Sequence, residues 1–195
     1  MSNAAYFDAL YHQPDPFGYH SRWYEQRKRS LLLAALTRPQ YRSGWELGCS
    51  NGVLTAALAP RCGRLLGTDV SDQALQQARR QLGCWPHVRL VRARHPTDWP
   101  EDCFDLIVVG EIGYYLVPED LHTLAAGVQA RLDDDGLLLA CHWRHPFDEA
   151  RSTADAVHRQ LGQGLVEVLC YRDADVILQG WAHQPDSVAA REGLR

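Results

Sequence analysis

Trp45-Glu46-Leu47-Gly48-Cys49-Ser50-Asn51-Gly52, with Val53 to Leu58 behind it, is the stretch from which the fold can be read. An apolar approach, two glycines in a tight turn and then Leu54, Ala56, Ala57, Leu58 and Ala59 predict a strand, a loop and a helix start. Glycine lets such a loop turn sharply and lets a ligand touch backbone, while the free N–H groups of a helix N-terminus favour electron-rich ligand groups. The spacing therefore predicts a nucleotide-binding first strand–helix turn. Its partner stands at the expected distance: Arg64 to Thr68 reads as the next strand, ending at Asp69, 21 positions after Gly48. A carboxylate there can accept hydrogen bonds from both hydroxyls of a ribose.

Outward from this unit the chain alternates between the two kinds of element. Ser21 is placed to cap a helix over 22–36, which Pro39 stops. Strands are predicted over 44–48, 64–68, 87–91, 104–109 and 137–141, with helices over 52–60, 71–82 (capped by Ser71) and 118–132 between them. A polar connection over 147–163 carries a helix with His158, and 165–171 and 176–181 read as two short strands. Phe104 to Val109 is apolar throughout, as a strand buried on both faces requires. Asp133-Asp134-Asp135-Gly136 reads as a solvated turn rather than a metal site, and Asp105 as structural. The pattern predicts an α/β protein with residues 1–40 as an N-terminal helical lid or arm, 41–183 as the core and 184–195 as a frayed polar tail.

Composition narrows the function. The chain has 195 residues, 46% hydrophobic and 23% charged, which fits one domain with a substantial core. No apolar run approaches the roughly 20 residues that span a bilayer, and no signal peptide is evident, so a cytoplasmic protein without a membrane partner is expected. The net charge is −4, with 19 arginines and one lysine (Lys28) spread along the chain rather than massed on a face, which argues against nucleic acid as a partner. Six scattered cysteines lack any Cys-x-x-Cys pair and read as buried free thiols, with neither metal nor disulfides expected.

Glu46-Leu47-Gly48-Cys49-Ser50-Asn51-Gly52, Asp69, and Phe104-Asp105-Leu106-Ile107-Val108-Val109 with Glu111 together resemble the class I S-adenosylmethionine-dependent methyltransferases, over roughly residues 44–140. Asp15-Pro16-Phe17, Trp23 to Arg29, Glu46 to Cys49 and Glu111-Ile112-Gly113-Tyr114-Tyr115-Leu116 resemble the NodS-like nodulation N-methyltransferase group within them. The resemblance implies a Rossmann-like, seven-stranded, mostly parallel sheet with helices on both faces and an antiparallel C-terminal strand pair. It implies S-adenosyl-L-methionine as cofactor, held by Glu46, Gly48, Cys49, Ser50, Gly52, Asp69, Val70 and Glu111, with Glu46 holding loop N–H groups. The small-molecule acceptor it implies is the free amine of an amino sugar at a deacetylated chitooligosaccharide end.

Two departures stand out. The usual middle glycine of the loop is Ser50, and the acid that many relatives carry after the third strand is replaced by Arg92-Ala93-Arg94-His95-Pro96, leaving Asp98, Trp99 or backbone contacts to meet adenine.

Methyl transfer needs a lone pair aligned with the breaking bond, and alignment can be worth about 7–11 kcal/mol. An amine acceptor also needs a group that binds it and helps remove its proton. Glu111, at the carboxyl end of the fourth strand, suits that role, with Tyr114 orienting the amine; His142 and His145 are rival bases. Trp23, Tyr24, Arg27, Tyr115, Trp143, Arg144, His145 and His158 are candidate acceptor contacts, though Trp23, Tyr24 and Arg27 equally fit a helix packed on the sheet, and Glu111 and His142 equally fit structural roles. Two rivals remain in other classes. A nicotinamide-dependent oxidoreductase is opposed by Ser50 and Val53 at the next two fingerprint positions. A non-catalytic cofactor-binding module is the other, alongside N- or O-methylation of a different small metabolite.

Overall fold

The computed structural model describes residues 3–185 and 187–194. Its elements are α1 (Asn3–Leu10), α2 (Trp23–Ala34), β1 (Tyr41–Leu47), α3 (Val53–Leu58), β2 (Cys62–Asp69), α4 (Asp72–Leu82), β3 (Val88–Arg92), β4 (Phe104–Gly110), α5 (Pro118–Gln129), β5 (Leu132–Trp143), α6 (Ala154–Leu161), β6 (Val166–Arg172), β7 (Val176–Ala182) and α7 (Val188–Arg191). The strands form one sheet in the order β3-β2-β1-β4-β5-β7-β6. Pairings among β1 to β5 are parallel, and β7 runs antiparallel to both β5 and β6. This is the sheet expected from the sequence.

Each central strand feeds two cores because successive side chains point to opposite faces. Ile107 and Val109 of β4 pack on one face with Trp45, Leu138, Leu124 and Val157, whereas Leu106 and Val108 pack on the other with Leu32, Leu58, Leu65 and Leu139. Helices cover both faces because each presents one apolar stripe. In α4 that stripe is Ala74, Leu75, Ala78 and Leu82, and in α5 it is Leu121, Leu124, Ala125 and Val128. Ser71 caps α4 by accepting from Ala74 N, as expected, and Pro118 opens α5, where a missing N–H costs nothing.

Several expectations are corrected. Arg22, not Ser21, is the residue before α2, and no side chain caps that helix. Asp133 to Gly136 is not a turn: the four residues lie within β5, which shifts register opposite Phe104 to Leu106. Within the run, Arg42 pairs with Asp133 and Asp135 and Arg38 with Asp135, so two of its three acids are paired from β1 and the segment before it; Arg42 also pairs with Asp105. Asp105 also accepts from Arg42 N and Ser43 N, the structural role expected of it. Of the cysteines, 49, 62 and 141 are buried but 84, 103 and 170 are exposed. Part of the tail is ordered as the single turn α7, capped by Ser187; residues 1, 2, 186 and 195, which the lid and tail assignments include, lie outside the described residues. Among the described residues no helix is long and apolar enough to cross a membrane, and no group of three His, Cys, Asp or Glu side chains is arranged to hold a metal.

Candidate active site

Because β1 to β5 are parallel, the loops that follow them open on one edge of the sheet, and β1 is where the strand order turns outward both ways. Ligands of open α/β sheets bind at such a point. A cavity of about 810 Å³ lies there, lined by the loops after β1 to β5 and covered by residues 6–28.

Its first half is made largely of backbone. Gly48, Ser50 and Gly52 all have positive φ, at 73°, 53° and 84°. A side chain at Gly48 would meet Ile112 at 2.2 Å, so only glycine fits there. Ser50 takes the left-handed conformation that a glycine would adopt without cost, and its hydroxyl shares a hydrogen bond with Tyr11 OH from the lid. Gly48 N and Cys49 N donate to Thr68 O, at 2.8 and 2.9 Å. Asp69 accepts from Ser50 N and Ser71 N, one carboxylate oxygen each, both at 2.9 Å. Burial raises the Asp69 pKa, while those backbone donors pull the other way. Gly48, Ser50, Asp69 and Val70 all face the cavity.

Glu46, Cys49 and Gly52 do not. Glu46 and Cys49 are buried beneath the loop, and Gly52 caps α3. The loop N–H groups go to Thr68 and Asp69 rather than to Glu46, whose Oε2 has no partner and whose pKa burial pushes up to about 8. Beyond β3 the wall is Ala93 to Thr97, with His95 bonded to Thr68 Oγ1 and packed edge-on against Trp45. Asp98 instead accepts from Arg94 N, and Trp99 packs on Trp45 and under the Arg131 guanidinium, so neither lines the cavity.

The second half is made of side chains. Glu111 follows β4 with φ of 57°, a conformation that costs a non-glycine residue on the order of 1 kcal/mol and that recurs at functional sites. Its N–H donates to Cys141 O at 3.1 Å, fixing it to the end of β5. Lys28 Nζ donates to Glu111 Oε1 at 2.6 Å, while Trp143 N (3.0 Å) and Tyr114 OH donate to Oε2. Burial, then Glu111, raises the Tyr114 pKa, so the hydroxyl keeps its proton. Tyr24, Tyr115 and Trp143 also line this half, with Tyr24 edge-on to Trp143 at 5.0 Å.

Other sequence candidates fall outside. Trp23, the first residue of α2, is 73% exposed and does not line the cavity. Arg27 reaches Asp173 and Tyr171, tying α2 to the β6–β7 turn, and Arg144 donates to Asp173 O in the same turn. His145 is exposed and bonds Asp175 Oδ1 at 2.8 Å. His142 and His158 are buried: Gly113 N donates to His142 Nε2 (3.3 Å), His142 Nδ1 meets His158 Nε2 (3.0 Å), and His158 Nδ1 meets Gln179 Oε1 (2.8 Å). Since a backbone N–H only donates, His142 Nε2 accepts, and both rings are neutral with protons on Nδ1. Burial, with the Lys28 charge second, pushes His142 down to about 3; burial, with His142 second, does the same to His158. Neither of the rival bases, His142 and His145, lines the cavity, nor does His158. What sequence reasoning missed is Glu25, Lys28 and Tyr19, and the signal was there: Glu25 and Lys28 stand seven and four residues before buried Leu32, on one face of a helix.

The family model of nodulation protein S matches residues 8–149 of the chain. The chain belongs to that family. Nodulation protein S of Bradyrhizobium diazoefficiens is 36% identical over 103 residues, 52% of this chain and 49% of that protein. That of Sinorhizobium fredii is 32% identical over 115 residues, 58% of this chain and 52% of that protein. The chain thus spans about half the length of the curated relatives it matches. Among solved structures, the N-methyltransferase NodS of Bradyrhizobium japonicum WM9 in complex with S-adenosyl-L-homocysteine superposes with a TM-score of 0.84 at 25% identity, covering 91% of this chain and 96% of that one. The family fold is the Rossmann-like methyltransferase fold described above.

Proposed function

We propose that the chain is an S-adenosylmethionine-dependent methyltransferase that methylates the amine of an amino sugar, in the manner of the deacetylated end of a chitooligosaccharide. The observation that carries the reading is the joining, in one cavity, of the Gly48–Ser50 loop and Asp69 to an acidic, aromatic wall around Glu111.

The first half fits the cofactor. The Asp69 carboxylate has about four acceptor sites, and the backbone N–H groups of Ser50, Ser71 and Val70 do not fill them, which leaves acceptor capacity for the ribose. A Cβ built on Gly110, which lines the cavity, would meet nothing within 4 Å, so open space adjoins backbone at the end of β4. The volume is within the range of about 300–1,000 Å³ usual for such ligands. Asp69 would hold the ribose, Val70 one adenine face and Ala93 to Thr97 the adenine edge. When bound, the cofactor supplies an electrophilic methyl group on a sulfonium.

The second half favours a cationic acceptor. Besides Asp69, five carboxylates line the cavity (Glu25, Glu111, Asp120, Glu149, Asp175) against Arg22, Lys28 and Arg94. Glu111, held from three sides, receives the acceptor nitrogen; Tyr114 fixes the Glu111 carboxylate rather than exchanging protons. Tyr24, Tyr115, Trp143 and Phe147 supply ring faces suited to a sugar and to a cation. The lid helix α1 is tied over the cavity by Asp8, which accepts from Ser71 Oγ at 2.6 Å, and by Phe7 against Tyr115, and it keeps water out.

The test is release of S-adenosylhomocysteine with an amine-terminated chitooligosaccharide beside its fully acetylated parent. Release with the amine alone supports the reading; cofactor binding without release from either overturns it.

A further inference from the structure

Lys28 is the one lysine of the chain, and it faces the cavity rather than solvent. Its ammonium stands 2.6 Å from Glu111 Oε1, 2.9 Å from Glu25 Oε2 and 5.1 Å from the centre of the Tyr24 ring, with the side chain 12% exposed. Burial works against the charge, but Glu111 and Glu25 outweigh it and raise the pKa, so the ammonium is permanent. Burial raises the Glu25 pKa while Lys28 and, less strongly, the Arg29 guanidinium pull it down; the thiol, hydroxyl and imidazole groups facing Lys28 are uncharged. The Cys141 thiol of β5 is pushed up by burial, the hydroxyls of Tyr24, Tyr114 and Tyr19 are all raised first by burial, and His142 is neutral. The Glu25–Lys28–Glu111 cluster by itself therefore carries two carboxylates and one fixed cation, a net charge of −1.

That balance matters for an amine. A primary ammonium has no lone pair, and two uncompensated carboxylates would hold it in that form. We propose that Lys28 is a positioning and charge-setting residue for the reaction: by compensating one carboxylate, it lets the amine bound at Glu111 give its proton to solvent and stand as the free base. The inference rests on the amine-methylation reading above. Opposite or like charges a few ångströms apart in a part-buried site move a pKa by about one unit or more, which is tenfold in the fraction of free amine.

The experiment is the pH dependence of kcat and KM for S-adenosylhomocysteine release from the amine-terminated chitooligosaccharide, with wild type, Lys28→Gln and Lys28→Arg. In Lys28→Gln the acid limb of kcat should move up by about one pH unit or more while KM for the amine falls; Lys28→Arg should keep the wild-type limb. A Lys28→Gln profile lowered equally at every pH, with an unmoved limb, makes Lys28 a mere clamp between α2 and β4 and overturns the proposal. Calorimetry of the acceptor binding to wild-type protein, in buffers of differing ionisation enthalpy at pH 7, tests the same point without a variant: close to one proton released supports the proposal, and none overturns it. If wild type releases no S-adenosylhomocysteine with the amine, the functional reading itself fails, a result distinct from release with an unmoved limb.

Discussion

The two halves of the cavity are built from different material. On the Asp69 side, the shape is set by backbone: three positive φ angles in five residues, and N–H groups claimed by Thr68 O and a carboxylate. On the Glu111 side, the shape is set by side chains from distant elements, Lys28 of α2 meeting Glu111 across 83 positions and Trp143 across 32. A backbone-built site tolerates change in most side chains because few of them form it. A site built from opposed charges is sensitive to any one of them, since removing a partner leaves the others uncompensated in a part-buried place.

That contrast can be broken by paired substitutions. Glu111→Gln should lower kcat/KM for the amine acceptor by 100-fold or more while leaving the dissociation constant for S-adenosylhomocysteine within about threefold. Equal losses in both would show that the halves are not separable. Asp69→Asn should do the reverse, weakening cofactor binding by about 100-fold in calorimetry, because a charged acceptor of backbone N–H groups and of the ribose is lost.

Under the loop, Glu46 gives a stability test that should leave the acceptor half untouched. Its folded pKa of about 8 lies above the ordinary carboxylate value. The folded state therefore holds the proton over a window from about 4.5 to 8 in which the unfolded chain has lost it. Stability falls as pH rises through that window and levels above it, a cost of about 3 kcal/mol at pH 7. Melting temperatures of Glu46→Gln against wild type should diverge from pH 5 to 8 in favour of the variant; parallel curves would contradict the buried, protonated carboxyl. The smallest effect is expected at Ser50→Gly, where relief of the left-handed strain gains about 0.5–1 kcal/mol, offset by loss of the contact to Tyr11. Denaturant midpoints should differ little, whereas a large loss of stability would show that the lid contact dominates.

The same contrast explains what could be read from sequence. Gly48, Ser50, Asp69 and Val70 are legible because their roles are local, set by turn chemistry and by the distance between two strand ends. Lys28 and Glu25 were hidden inside a basic stretch, and only their spacing from Leu32 marks them as inward. His158 misled for a related reason: it sits on the buried stripe of α6 with Ala154, Val157 and Leu161, so it is a satisfied core histidine whose partners, His142 and Gln179, come from β5 and β7. Asp133 to Gly136 looked like a turn because pairing with Arg38 and Arg42, about 90 to 100 residues earlier, leaves no local trace.

The central claim is tested most directly by incubating the protein with S-adenosylmethionine and a chitooligosaccharide bearing one free terminal amine, and weighing the product. A gain of one methyl group on the amine-bearing oligosaccharide, with none on the acetylated parent, is the predicted result. Cofactor binding with no methylated product would contradict it.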